Sequence, residues 1–390
     1  MTMRLLMVSP ALPTASGKGY QVRLYHQILG LAAKQHEVTL VAFAGGDQPA
    51  HELSAACRRI TAVPWSLPAA AARAAVEAAR LPLSVALYAS GRMREAISEE
   101  LRTTRPDIAH LVLVRMAPYL GGMAGPGTVL DLLDAAELNM RERARAAAPG
   151  ARQLLQIEAG RLGAYEKRAV AASDLALVIS RRDFEFLGSP PNARVLPNGV
   201  EPQAVMEGAK RDGSTIIFSG TMSYFPNADA AAWFARDVLP LVRRSVPGAR
   251  FHIVGRDPGT RLKRLAELPG ISLTGSVPEM STEIAGAAVS VCPMRYGSGM
   301  QTKILEAMAV ATPVVATSKA LEGIPEDLHR YIHRADSPAG LAAELTRVLG
   351  EPEDARRLAR QGLDAIARDH TWSGHVAELE RLYEETLIPR

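Results

Sequence analysis

The sequence predicts an α/β protein built from two doubly wound parallel sheets that face a central cleft. Three observations predict it. Short apolar runs alternate with helical patterns, as in parallel sheets covered on both faces. The alternation pauses near residue 200 and restarts after residue 213. The chain has 390 residues, enough for two domains of roughly 100–200 residues each.

Taken in order, Arg4-Leu-Leu-Met-Val8 reads as a buried first strand. A turn-rich loop, Ser9 to Gly19, leads into a helix in which Val22, Leu24, Ile28, Leu29 and Leu31 recur at mostly helical spacing. Glu37 to Phe43, Ile108 to Val114, Thr128 to Leu133 and Leu175 to Ile179 supply further strands. Glu137 to Ala172 predicts a long, Arg-rich helical segment. Pro197-Asn-Gly-Val-Glu-Pro202 is a turn cluster and Glu207 to Gly213 is polar, which places a linker near 200–213. Beyond it, Ile216 to Phe218 begins a second sheet. Pro226 then opens a helix, with Asn227 and Asp229 suited to its positive end. Phe251 to Val254, Ile271 to Thr274, Val289 to Cys292 and Val314 to Ala316 are the following strands. Helices are expected to start near Thr260, Glu279 and Met300.

Composition excludes several classes. Hydrophobic residues make up 47% and charged residues 22%, which rules out a mainly disordered chain. Arg and Glu interrupt every apolar stretch before it reaches the roughly 20 residues of a membrane span. The first ten residues read as a strand rather than a signal peptide. Cys57 and Cys292 are too far apart for a disulfide framework or a metal cluster and are expected to be reduced thiols in a cytoplasmic protein. The net charge of +4 is too small to argue for nucleic acid.

The segment richest in chemistry runs from Pro293 to Ala309. Gly297 and Gly299 let the backbone approach a ligand closely. The helix expected to start near Met300, with Gln301 next to it, offers free N–H groups and a positive dipole end. Arg295 and Lys303 flank that end and suit a diphosphate. Glu306, three residues after Lys303, lies on the same helix face and suits the two hydroxyls of a ribose. The same residues also fit a solvated helix start with a Lys303–Glu306 ion pair. A second loop, Gly17-Lys-Gly19, precedes a helix carrying Arg23, but it completes neither a dinucleotide nor a Walker fingerprint.

The pattern Arg295-x-Gly-x-Gly-x3-Lys303-x2-Glu-Ala-Met-Ala309, followed by Pro313-Val-Val-Ala316, resembles the donor-site signature of the retaining GT-B glycosyltransferases of family 4, closest to the bacterial exopolysaccharide type. Phe218-Ser-Gly220-Thr-Met222 with Pro226-Asn227 resembles the start of its C-terminal domain, and Val254-Gly255 and Leu273-Thr-Gly-Ser-Val277 resemble its nucleotide-facing strand ends. Pro197-Asn-Gly-Val200 resembles its interdomain turn, and Thr371-Trp372 the start of its last helix. The resemblance is dense from 215 to 320 and thinner before 200. It implies two Rossmann-like domains: 1–200 on the acceptor side and 201–370 on the nucleotide-sugar side, with 371–390 as a helix crossing back. It also implies transfer of a sugar from a nucleoside diphosphate sugar to a hydroxyl acceptor, with no cofactor. Gly17 and Gly19 would then line the phosphates. Arg256 would reach the base or phosphate, or remain a surface arginine. Positive charge at the diphosphate is supplied by Arg295, Lys303 and the helix start. With no Asp-x-Asp pair in the sequence, metal independence is expected.

Three positions depart from the family pattern. Ser298 stands where the first of two glutamates, eight positions apart, is usual. Thr221 to Pro226 lacks the customary Arg and Lys, so Arg295 is expected to substitute for part of that charge. Asp134 stands nearest the place of a histidine, where it contacts the donor sugar, assists proton movement, or caps the following helix. These departures keep a non-catalytic sugar-nucleotide-binding protein open, with a nucleotide-sugar epimerase as the rival enzyme. Acceptors in reach are a saccharide, a lipid-linked saccharide or a small natural product. Arg141, Arg143, Arg145, Arg152 and Arg161 suit a peripheral contact with the inner membrane face, while Glu142, Glu158 and Glu166 between them suit an ordinary solvated helix.

Overall fold

A computed structural model describes the chain apart from Ala146, residues 204–211, Ser298 and residues 389–390. It forms two compact units, Met1–Asn198 with Trp372–Arg390, and Gly199–Thr371. The first sheet contains β1 (Arg4–Ser9), β2 (Glu37–Ala44), β3 (Cys57–Pro64), β4 (Ile108–Val112), β5 (Gly127–Leu133), β6 (Leu175–Val178) and β7 (Ala193–Val195). The second contains β8 (Asp212–Ser219), β9 (Arg250–Val254), β10 (Ile271–Thr274), β11 (Ala287–Cys292), β12 (Val314–Ala316) and β13 (His333–Arg334). The spatial orders are β3-β2-β1-β4-β5-β6-β7 and β10-β9-β8-β11-β12-β13, and neighbouring strands are parallel. Each order reverses once, between β1 and β4 and between β8 and β11. Ligands of such sheets bind beyond the carboxyl ends at that reversal.

Seven helices matter below: α1 (Gly19–Ala33), α2 (Leu67–Glu77), α3 (Ala136–Arg145), α4 (Pro149–Ala171), α5 (Phe225–Trp233), α6 (Thr302–Ala309) and α7 (Trp372–Leu387). The expected long segment 137–172 is thus two helices, the second opened by Pro149, whose fixed φ suits a first turn. Strands β3, β7 and β13 are additions to the sequence reading. β3 lies at a sheet edge, with Arg58 and Arg59 exposed, and so lacks a continuous apolar run. β7 and β13 span three and two residues, too few for a pattern. β8 starts at Asp212, inside the expected linker; residues 204–211 of that linker lie outside the described residues.

Alternation along the strands sorts the first core into two faces. Leu6, Val8, Val41, Phe43, Leu111 and Leu130 lie on one. Leu5, Met7, Leu40, Ile108, Val129 and Leu177 lie on the other. The second face is closed by Leu24, Ile28 and Leu31 of α1 and by Val376, Leu379, Leu382 and Tyr383 of α7. Each of those buried leucines stabilises by about 1.5–3 kcal/mol. Gly30 allows the close approach: a Cβ there would lie 2.6 Å from Val376. The last helix is therefore part of the first unit's core. The second unit has one continuous core around Phe218, Phe234, Phe251 and Val291. Among the described residues, no helix is long and apolar enough to cross a membrane.

Candidate functional site

In the second unit, the carboxyl ends of β8, β9 and β11 meet. Gly220 follows β8 at φ +147° and Gly255 follows β9 at φ +151°, a region side chains rarely adopt. A Cβ on Gly255 would lie 1.7 Å from the Gly220 carbonyl oxygen, so only glycine fits. Gly220 N–H donates to the Val254 carbonyl at 3.0 Å, and Gly255 N–H to that of Thr274 at 3.0 Å. This leaves bare backbone in front of the sheet.

α5 and α6 frame that space. α6 starts at Thr302, with Gln301 as its cap, two residues beyond the expected start. Lys303 is buried. Its Nζ donates to Asn227 Oδ1 at 2.7 Å and sits 4.5 Å from the Phe218 ring centre. Asn227 in turn donates from Nδ2 to the Thr221 carbonyl at 3.0 Å. A Cβ on Gly220 would be 3.2 Å from Lys303 Nζ, so that glycine keeps the space by the ammonium open. Burial pulls the Lys303 pKa down, opposed by Cys292 and Glu306. Burial pushes the Glu306 carboxyl up, opposed by Lys303.

Arg295 is held differently. Its Nε and Nη2 donate to the two Asp229 carboxylate oxygens at 3.0 and 2.7 Å. Its guanidinium lies 5.2 Å from the Trp233 ring centre and 5.6 Å from that of Tyr296. The cation expected to serve the diphosphate is thus forked onto a carboxylate, with 40% of its side chain exposed. Arg256 is exposed, with Nε 3.4 Å from Thr221 Oγ1. Val277 and Met300 are half-buried and pack on the core. Gly297 and Gly299 both have positive φ, +112° and +76°. Ser298, between them, lies outside the described residues.

The first unit carries a buried polar cluster where β1, β4 and β5 adjoin. Arg23 Nε donates to Asp131 Oδ2 at 2.7 Å, and Nη1 to the Leu196 carbonyl and Asn198 Oδ1, both at 2.9 Å. Gln27 Nε2 also donates to Asp131, at 3.3 Å. Burial alone would raise the Asp131 pKa, but Arg23 and His110 overrule it and hold the carboxyl far below the usual range. His110 is a packed core histidine whose Nδ1 lies 2.7 Å from the Tyr383 hydroxyl. His375 Nδ1 lies 2.7 Å from the Pro197 carbonyl. Its pKa falls to about 3 through burial and the nearby Arg23. In the preceding loop, a Cβ on Gly17 would lie 2.5 Å from Thr14, whereas one on Gly19 would meet nothing within 4 Å.

β5 ends in a turn. Leu133 has φ +61°, and its N–H donates to Asp131 Oδ1 at 3.3 Å. Asp134 follows, accepting from Asn139 Nδ2 at 3.2 Å. Burial and the neighbouring Asp183 push its carboxyl up to about 7. The backbone N–H groups opening α3 go elsewhere: Ala135 donates to Asp183 at 3.0 Å, and Ala136 to Glu166 at 2.8 Å. Capping is therefore the work of Asp183 and Glu166, and the carboxyl of Asp134 is held by Asn139. The sequence reading missed Asn227 and Asp229 as anchors of the two cations. The available signal, two polar residues after Pro226, also fits a dipole role.

Residues 213–351 match a family model described as Glycosyl transferases group 1. An MMP alpha-(1->4)-mannosyltransferase of Mycolicibacterium hassiacum is 30% identical over 223 residues, covering 52% of this chain and 51% of that protein. The chain thus spans about half the length of the curated relative it matches. The fold is shared with a sucrose-phosphate synthase of Thermosynechococcus elongatus, at TM-score 0.74 and 16% identity over 98% of both chains. It is also shared with an E. coli trehalose-6-phosphate structure bound with UDP-2-fluoro glucose, at TM-score 0.67 and 14% identity over 99% of this chain and 100% of that one. The architecture is the GT-B fold.

Proposed function

We propose that the protein moves a sugar from a nucleoside diphosphate sugar to a hydroxyl acceptor, with retention at the anomeric carbon and without a metal. The acceptor is a saccharide, a lipid-linked saccharide or a small natural product, and the setting is the cytoplasm or its membrane face. One observation carries the reading: Lys303 is a buried cation whose hydrogen-bond partner is a neutral amide, Asn227. Buried charges are ordinarily paired, and a diphosphate would supply the missing anion. As the bond from sugar to phosphate breaks, negative charge grows on the leaving phosphate. A cation fixed beforehand stabilises that change without reorganising. The start of α6 adds its positive dipole end, and Glu306 suits the ribose hydroxyls. On the first unit, Asp134 is the group proposed to hold the sugar or move a proton, since a carboxyl titrating near neutrality serves both directions.

The test is a thermal-shift panel of UDP, GDP, dTDP, ADP and CMP, followed by transfer assays with the base that binds. A ligand at a hundred times its dissociation constant should stabilise by about 2.7 kcal/mol. Lys303→Ala should remove that shift and lower transfer by about 10²–10³, and activity should survive excess EDTA. A flat panel would favour a protein that does not bind the donor. Loss of activity in EDTA restored by Mg²⁺ would overturn the metal-free route.

A further inference from the structure

The carboxyl ends of β1 to β4 carry a set of side chains that neither the donor site nor the buried Arg23 cluster uses. Tyr20 lies in the first turn of α1, Phe43 is the next-to-last residue of β2, Trp65 follows β3, and Arg115 stands three residues beyond β4. Tyr88 joins them. Its ring stacks on that of Trp65, with centres 6.0 Å and planes 20° apart, and meets Phe43 edge-on at 5.7 Å. The Arg115 guanidinium lies 5.4 Å from the Tyr88 ring centre. Burial lifts the Tyr20 pKa to about 12, with Tyr88 adding to the rise and Arg115 opposing it, so Tyr20 belongs to the same cluster. Tyr20, Trp65, Tyr88 and Arg115 are all half-buried.

The backbone fixes this set. Trp65 N–H donates to the Ala44 carbonyl at 2.9 Å. The Tyr88 segment is pinned twice: the Tyr119 hydroxyl donates to the Tyr88 carbonyl and accepts from Ser90 N–H at 2.9 Å, and Arg73 of α2 donates to the Leu87 carbonyl at 3.3 Å. Leu113, two residues before Arg115, has φ +68° and ψ 151°, a region essentially reserved for glycine. Backbone strain of that kind gathers at ligand sites. The polar ends of the set are unused by the fold. Among the described residues, Arg115 has no carboxylate partner and the Tyr20 and Tyr88 hydroxyls make no hydrogen bond. The Trp65 indole N–H is buried without a partner. A guanidinium and an indole N–H only donate, and a phenol donates readily. One cation among donors, with no acid in contact, repels a cationic ligand and suits a phosphate or a carboxylate. The rings beside it add an apolar wall.

We infer that this cluster binds the anionic group of an acidic sugar, a phosphate ester or a carboxylate, with Arg115 forked onto the anion, Tyr20 and Tyr88 donating to it, and Trp65 flanking the sugar. Naming that sugar as the acceptor rests on the transfer reaction proposed above; the binding itself does not, because the donor site lies in the other unit.

Tryptophan fluorescence of the full chain tests it, with glucose 6-phosphate, glucuronate, inorganic phosphate and glucose as probes. Comparison with Trp65→Phe isolates the part of the signal that comes from Trp65. Glucose 6-phosphate or glucuronate should change that part saturably, and glucose at the same concentration should not. A response to the ester alone makes the recognised group a phosphate, and a response to glucuronate alone makes it a carboxylate. Arg115→Gln should weaken binding by about tenfold to a hundredfold, and Tyr88→Phe, which keeps the ring and removes one donor, should weaken it less. Lys303→Ala should leave it unchanged. Arg115→Gln should melt with wild type and keep the stabilisation by UDP or whichever nucleotide binds, so failure here is distinct from failure of the donor site. No Trp65 response to either acidic sugar would overturn the proposal. So would a response to glucose or to inorganic phosphate as strong as that to the acidic sugars, or binding that Arg115→Gln keeps and Lys303→Ala abolishes.

Discussion

Both units bury a cation near the carboxyl ends of their sheets, and they neutralise it differently. In the first, Arg23 meets the carboxylate of Asp131, with Gln27 and Asn198 completing the set. In the second, Lys303 meets the amide of Asn227, while the nearby carboxylate Asp229 is taken by Arg295. In the first arrangement the charges of Arg23 and Asp131 balance inside the protein, although Arg23 Nη2 and Gln27 Oε1 are buried with no hydrogen-bond partner among the described residues. In the second, among the described residues, Lys303 has no carboxylate as a hydrogen-bond partner, and Glu306 and Cys292 act on it only through space. Similar topology therefore yields a buried cation paired with a carboxylate in one unit and a buried cation bonded to an amide in the other.

Substitution can break this contrast. Arg23→Met should strand Asp131 as an unpaired buried charge, costing about 3–5 kcal/mol. Lys303→Met should leave thermal stability unchanged or raised, because it removes a buried charge whose hydrogen-bond partner is a neutral amide, while abolishing nucleotide-induced stabilisation. If both variants melt equally far below wild type, the contrast is wrong.

A smaller effect is expected at the glycines. Gly255→Ala places a methyl against the Gly220 carbonyl at a strained φ. It should cost about 3 kcal/mol and weaken nucleotide binding together with stability. Gly19→Ala, which meets nothing within 4 Å, should change stability by less than about 1 kcal/mol. Equal melting of these two variants would show that the strand ends do not meet as described.

The smallest effect concerns pH. The folded Asp134 carboxyl titrates at about 7 and its ordinary value is 3.8. Between those values the native state keeps a proton that the unfolded chain has released, so stability falls as pH rises through that window. Asp134→Asn should remove this loss. Its stability advantage over wild type should be absent at pH 4 and grow to on the order of 2 kcal/mol by pH 8, once partial exposure is discounted. An advantage that does not vary with pH would show that Asp134 titrates normally. Glu166, raised to about 7 mainly by burial, acts in the same direction in both proteins.

The sequence by itself determined the architecture. Buried parallel strands must be short continuous apolar runs, and the helices between them must present one apolar side. β10 and β12 therefore fall on the residues expected, and β1, β2 and β9 differ at an end by one residue. The spacing from Arg295 to Glu306 was equally legible, because it lies within one loop and one helix. What only the tertiary structure decided is which charge meets which. Asn227 is separated by 76 residues from Lys303, Asp229 by 66 from Arg295, and Asp131 by 108 from Arg23. Periodicity reports which side of an element is buried. It carries no information on partners that distant strands bring together, and those partners separate a cation paired with a carboxylate from one bonded to an amide.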